Sequence, residues 1–185
     1  AQFSAGMSKA ANLERIATLA GHAAESGVRL VVFPEAAMCD FGEKDDDMHS
    51  VAEALDGRFV TTLSELAARH RMTVVAGMFE LIPGERLVHN SAVVVDPAKG
   101  WVGTLHKRHL FDAFGELESE RFRAGEGEPR QVAVEGFRAA GVSGFGRRFA
   151  SYLAGPEDRR ADPLVSPPVP VPAPVPGEGP LVRHR

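Results

Sequence analysis

Apolar residues along this chain switch between two spacings. From about Ser8 to Ser26 they fall at Leu13, Ile16, Ala17, Ala20 and Ala24, which is one helix face, and Gly27 follows as a stop. Val28-Arg29-Leu30-Val31-Val32-Phe33 then runs almost unbroken, as a strand buried on both faces does. Phe59, Leu63, Leu66, Ala67 and His70 line one side of a second helix, for which Asp56-Gly57 is the expected cap. Met72 to Phe79 predicts another buried strand, and Phe3 to Gly6 is a candidate end of an earlier one.

Two further apolar runs, Asn90–Asp96 and Trp101–Leu105, are joined by Pro97-Ala98-Lys99-Gly100. A Pro-x-x-Gly link between strand-like runs predicts a hairpin, so part of the sheet is antiparallel. Helix, strand, helix, strand and hairpin in that order give an α/β class with a mixed sheet in layers. His106 to Gly127 is polar and expected to be irregular, and connections of that length often carry function. Gln131 to Phe137 is expected to be one final strand. Eight of the 13 prolines fall between Pro163 and Pro180, and the Val-Pro alternation of residues 169–176 supports neither helix nor ladder. The expected division is a folded part over residues 1–152 and an irregular Pro-rich tail over residues 153–185.

Composition narrows the partners. At 185 residues, with 44% hydrophobic and 25% charged, the chain can build one sizeable core. A net charge of −4 gives no footprint for nucleic acid or an anionic membrane. No apolar run approaches the roughly 20 residues of a membrane span, and the first residues show no secretory signal pattern. The single cysteine, Cys39, excludes an internal disulfide framework and fits a reducing cytoplasm, the expected location.

Candidate chemistry begins where the Val28–Phe33 run ends, at Pro34-Glu35. Ligands of α/β folds bind at the carboxyl ends of buried strands, where a carboxylate is useful as an acid or base. A helix-start glutamate after proline is the competing reading. Lys107, directly after the hairpin, and Glu118, in the polar loop, are each surface charges when taken singly. Together with Phe33-Pro34-Glu35 they resemble the nitrilase superfamily of carbon–nitrogen hydrolases, over roughly Ala1 to Phe137. The resemblance also includes His89-Asn90-Ser91, Val93–Asp96, Lys107-x-His109-Leu110-Phe111, and Glu118-Ser119 ahead of Ala124-Gly125. Glu35-Ala36-Ala37-Met38-Cys39 is similar to bacterial members of the omega-amidase-like branch.

That resemblance implies an α-β-β-α sandwich of the carbon-nitrogen hydrolase type and a Glu–Lys–Cys mechanism on a small amide substrate, with no metal or organic cofactor. It makes Glu35 the general base, Lys107 the donor to the negative oxygen of the tetrahedral intermediate, and Glu118 an accessory carboxylate. An ω-amide of a dicarboxylic acid is the expected substrate, and Arg108 and His109 are compatible with its negative charge. The family's cysteine normally lies in a Cys-Tyr-Asp-x-Arg-Phe context, and Arg148-Phe149 aligns Gly144 with it. Ser143 is one residue early, on the opposite face by strand alternation. Cys39 is expected to be buried packing and not a substitute.

Arg160-Ala161-Asp162-Pro163-Leu164-Val165 echoes a later strand of the family, so the chain is expected to be a degraded form, truncated at the C-terminal side. Family members form homo-oligomers through the sandwich, and this shortened chain is not expected to sustain that pairing. The alternative function is a catalytically inactive remnant that at most binds a small molecule. A third reading takes the Val-Pro tail as a polyproline ligand.

Overall fold

Ser8 opens the first helix, α1 (Lys9–Glu25), by accepting a hydrogen bond from the Ala11 amide through its side chain. In the computed structural model, which describes residues 1–113, 116–126, 131–134, 137–141 and 164–165, this helix buries Leu13, Ile16 and Ala20. Gly27, at φ 72°, makes the left-handed turn expected of a stop residue. Val28 N donates back to Ala23 O at 3.1 Å, so Val28 closes the helix and is not part of the strand. The strand β1 is therefore Leu30–Val32, shorter than the apolar run, although Phe33 N still donates to Val75 O at 2.8 Å. Phe3 to Gly6 forms no strand; Phe3 packs edge-on against Phe33.

A one-turn helix that the pattern did not reveal, α2 (Met48–Val51), follows the acidic loop and is capped by the Asp47 side chain. The helix α3 (Arg58–His70) buries Phe59, Leu63, Leu66 and Ala67 as its spacing predicts. Its cap falls at Gly57, within the expected Asp56-Gly57 pair. Gly57 is the capping residue and offers no side chain, and the carboxylate that receives the Phe59 amide, at 2.8 Å, belongs to Glu53. Glu53 also holds Lys9 Nζ at 2.7 Å, so one carboxylate serves α3 and ties it to α1.

The strands β2 (Thr73–Leu81), β3 (Val88–Asp96) and β4 (Gly100–His106) complete a four-stranded sheet ordered β1-β2-β3-β4. β1 and β2 are parallel and the remaining pairs antiparallel, which is the mixed sheet the hairpin signal predicts. Alternation sends Val74, Ala76, Met78, Val93 and Val95 into a core shared with α1 and α3. The opposite face carries Val75, Val94 and Leu105.

The polar segment after β4 is more ordered than expected: it holds a short hairpin, β5 (Asp112–Ala113) with β6 (Glu116–Leu117), then a 3-10 turn over Glu118–Glu120. The final run is two strands where one was expected. β7 (Gln131–Val134) pairs antiparallel with β8 (Phe137–Gly141), and Val134 opposite Phe137 makes the link two residues long. β8 pairs in parallel with β9 (Leu164–Val165), the only residues of the 153–185 stretch among those described. Val132 of β7 lies against the Val75, Val94 and Leu105 face. A Cβ on Gly103 would be 2.7 Å from the Val132 side chain, so glycine is what lets this second layer approach.

The Glu53 contact gives a paired expectation. Glu53→Ala should cost about 1–2 kcal/mol in urea unfolding, the range for losing a helix N-cap partner, while Asp56→Ala should stay within about 0.5 kcal/mol.

Candidate active site

Pro34 and Glu35 sit where β1 has ended, in a turn and not in a helix, which removes the helix-start reading. The turn is clasped to β2 at one residue. Gly77 N donates to Pro34 O at 3.1 Å and Met38 N donates to Gly77 O at 3.0 Å. A Cβ at Gly77 would stand 2.6 Å from Ala36 N and 2.7 Å from Pro34 O, so only glycine permits the approach. Ala36 adopts φ 57°, a left-handed conformation that costs a non-glycine residue about 1 kcal/mol. Asn12 braces the far side by donating to Met38 O at 3.0 Å. The turn is held from both sides with Glu35 buried, its exposure 6%.

Lys107 arrives from the end of β4. Its N donates to Asn90 O and its carbonyl accepts from Gly125 N, both at 2.8 Å, so the backbone on either side of the side chain is fixed. The Lys107 ammonium donates to Glu35 Oε1 at 3.1 Å and to Glu118 Oε1 at 2.8 Å. Glu118 is oriented in turn by the Phe111 amide, which donates to its Oε2 at 2.6 Å. The three residues singled out from the sequence therefore form one buried array, carboxylate–ammonium–carboxylate, although 72 and 11 positions separate the partners.

Asn90 is a member that the sequence reading did not single out. Its Nδ2 donates to Glu35 Oε1 at 2.9 Å, on the same oxygen that Lys107 reaches. A signal was present: a polar side chain at 4% exposure inside an apolar strand, next to a residue pairing with β4. Arg108 and His109 are half-buried and do not line the cavity beside Glu118. That cavity, about 360 Å³, is lined by the apolar Phe41, Phe111, Leu117 and Phe122 and by the charged Glu43, Lys44, Glu120 and Arg121. Phe41, Phe79 and Phe122 pack ring on ring behind it, with centroids 5.3–5.8 Å apart.

Cys39 is turned away from this array. It has no exposed surface, belongs to the helix-side core, and lies with Sγ 3.5 Å from Met7 O. Burial pushes its thiol above the ordinary value, against a smaller lowering by Lys9. Ser143 and Gly144 lie outside the described residues. Among the described residues no group of three or more His, Cys, Asp and Glu side chains is placed to hold a metal ion. None of their helices is long and apolar enough to cross a membrane.

The site therefore consists of a buried lysine shared by two carboxylates at the strand ends of a layered α/β fold. The chain belongs to the carbon-nitrogen hydrolase family, whose profile matches residues 1–144. It is 38% identical over 156 residues to a protein described as a hydrolase from Mycobacterium tuberculosis, covering 80% of this chain and 52% of that one. It is 29% identical over 173 residues to the deaminated glutathione amidase of Escherichia coli, covering 94% and 63%. Among solved structures, a CN-hydrolase superfamily protein from Xanthomonas campestris superposes with a TM-score of 0.68 at 27% identity, over 80% of this chain and 52% of that one. The NitFhit protein of Caenorhabditis elegans, at 22% identity, shares the fold with a TM-score of 0.72, over 82% and 38%. The chain spans about half the length of the Mycobacterium relative.

Two measurements probe this geometry. Gly77→Ala should lower unfolding stability by about 1–3 kcal/mol, because the added methyl meets backbone on the Pro34–Ala36 turn. Cys39 should resist a water-soluble thiol reagent in the native chain and react promptly in denaturant; fast native labelling would show it accessible.

Proposed function

We propose that this chain carries the base and donor groups of an amidase site for a small carboxamide. The buried Glu35–Lys107–Glu118 array is the observation that carries the reading. In such a site a thiol loses its proton to Glu35 and attacks the amide carbon. The carbonyl oxygen becomes negative beside Lys107 Nζ, and a preorganised donor there is worth about 3–4 kcal/mol of barrier. The departing nitrogen takes the proton from Glu35 and leaves as ammonia. Water, deprotonated by the same carboxylate, then cleaves the thioester. Glu118 holds the lysine so that its ammonium does not swing onto Glu35 alone.

An ω-amide of a dicarboxylic acid is the substrate we favour. The likeness to a deaminated glutathione amidase supports it, as does a small cavity beside Glu118 whose lining includes Lys44 and Arg121. The thiol is the missing part. The motif resemblance aligns Gly144 with the family's cysteine, and the chain's single cysteine is the buried Cys39. The chain as given is therefore proposed to release negligible ammonia, as an inactive remnant able to bind a small molecule would.

Purified full chain and its Cys39→Ser variant should both give ammonia at the blank rate with small ω-amides. Release that survives Cys39→Ser would overturn the lost-nucleophile assignment. The base assignment is tested by installing a thiol, Gly144→Cys in the Cys39→Ser background, and following alkylation by iodoacetamide. Adding Glu35→Gln should slow that alkylation by about 10²-fold, the lower end of a positioned base's effect. An unchanged rate would remove Glu35 from the role.

A further inference from the structure

A second polar cluster lies directly behind the array, on the opposite face of the same strands. Ser91 follows Asn90 and His106 precedes Lys107, so strand alternation turns both away from Glu35. Ser91 and His106 are register partners across β3 and β4. Glu80, near the end of β2, receives both on one oxygen: Ser91 Oγ donates to Oε2 at 2.7 Å and His106 Nε2 donates to it at 2.9 Å. His89 stacks on His106 with ring centroids 4.1 Å apart and planes 15° from parallel. Its Nδ1 donates to Arg123 O at 2.9 Å, since a carbonyl oxygen only accepts.

Glu80 has 9% of its surface exposed. Burial opposes its charge, yet the hydrogen bonds from His106 and Ser91 outweigh this and hold the carboxyl below its ordinary range. An apolar side chain would fill the same space without the desolvation cost of a buried charge. What the carboxylate adds is direction: it fixes two side chains, each one residue away from a member of the catalytic array.

We propose that Glu80 is a positioning residue, which holds the ends of β3 and β4 through Ser91 and His106 so that Asn90 and Lys107 meet Glu35 on the other face. Neighbouring side chains of a strand point oppositely, so a tilt of His106 about the strand axis swings Lys107 the other way. A second route reaches the same lysine. A Cβ on Gly125 would be 2.6 Å from His106 Cβ, so Gly125 is seated on the histidine, and Gly125 N is the donor to Lys107 O. The proposal rests on the reading of Lys107 as the amidase donor, but its test does not require turnover.

Lys107 is shielded by two carboxylates, whereas Lys99 is exposed and outside the cluster. Competitive acetylation of the full chain with acetic anhydride, quantified by mass spectrometry, reads both lysines in one sample. Glu80→Met and His106→Leu should each raise Lys107 acetylation several-fold relative to Lys99. His106→Gln, whose amide can still donate to Glu80, should stay near wild type. If Glu80→Met fails to fold, His106→Leu alone decides, because His106 is only half-buried. Unchanged Lys107 labelling in His106→Leu overturns the proposal, as does a rise shared equally by Lys99 or no rescue by His106→Gln. Acetylation is blind to amide cleavage, so this result and failure of the amidase reading are separate outcomes.

Discussion

The structure depends on one buried cation shared by two anions. Taking an ammonium out of water costs several kcal/mol, and a single partner at about 3 Å repays this incompletely. Lys107 meets Glu35 at 3.1 Å and Glu118 at 2.8 Å, and each carboxylate is itself bound by a further donor, Asn90 Nδ2 or the Phe111 amide. An ammonium carries three donors. Among the described residues two are engaged, one by each carboxylate. Removing either carboxylate would leave a buried charge half compensated, so the array holds together as a unit or not at all.

The array constrains the backbone around it. Glu35 can reach the lysine only because the Pro34–Ala36 turn lies flat on β2, and that contact exists only because Gly77 has no side chain. The left-handed Ala36 is the cost of the turn, offset by the buried surroundings of residues 36–39 and by the Asn12 brace. On the other side the chain must return from the hairpin to place Glu118, which is why the segment after β4 is ordered by pairings between the Phe111–Asp112 and Glu118–Ser119 regions. Structure in that polar segment rests on these polar pairings together with Phe122, which is buried in the core against Phe41 and Phe79.

Much of this was legible in the sequence where a single physical signal dominated. α1, α3 and β2 follow apolar period, and the β3–β4 hairpin follows its Pro-x-x-Gly link. Glu35, Lys107 and Glu118 were found by family resemblance, because no local property separates a buried lysine from a surface one. The gaps have particular causes. The Asp56-Gly57 pair marks the cap of α3 at Gly57, but the carboxylate that reaches the Phe59 amide is that of Glu53, from the other side of a turn. β7 and β8 read as one run because only two positions separate Val134 from its register partner Phe137. Asn90 belongs to a motif of the resemblance but receives no site role there, because its meaning lies in register: only pairing with β4 shows that it shares a face with Lys107.

Gly103 sets a dimension of the molecule that its neighbours do not. It is the point at which the second layer touches the backbone of the first, with Val132 resting on a residue that has no side chain. Lys107, four residues on from Gly103 and just past the end of β4, falls on the same side of the sheet by alternation. The spacing of the two layers at this point is therefore set by a shim of zero thickness, and every atom added to it would act as a wedge between them.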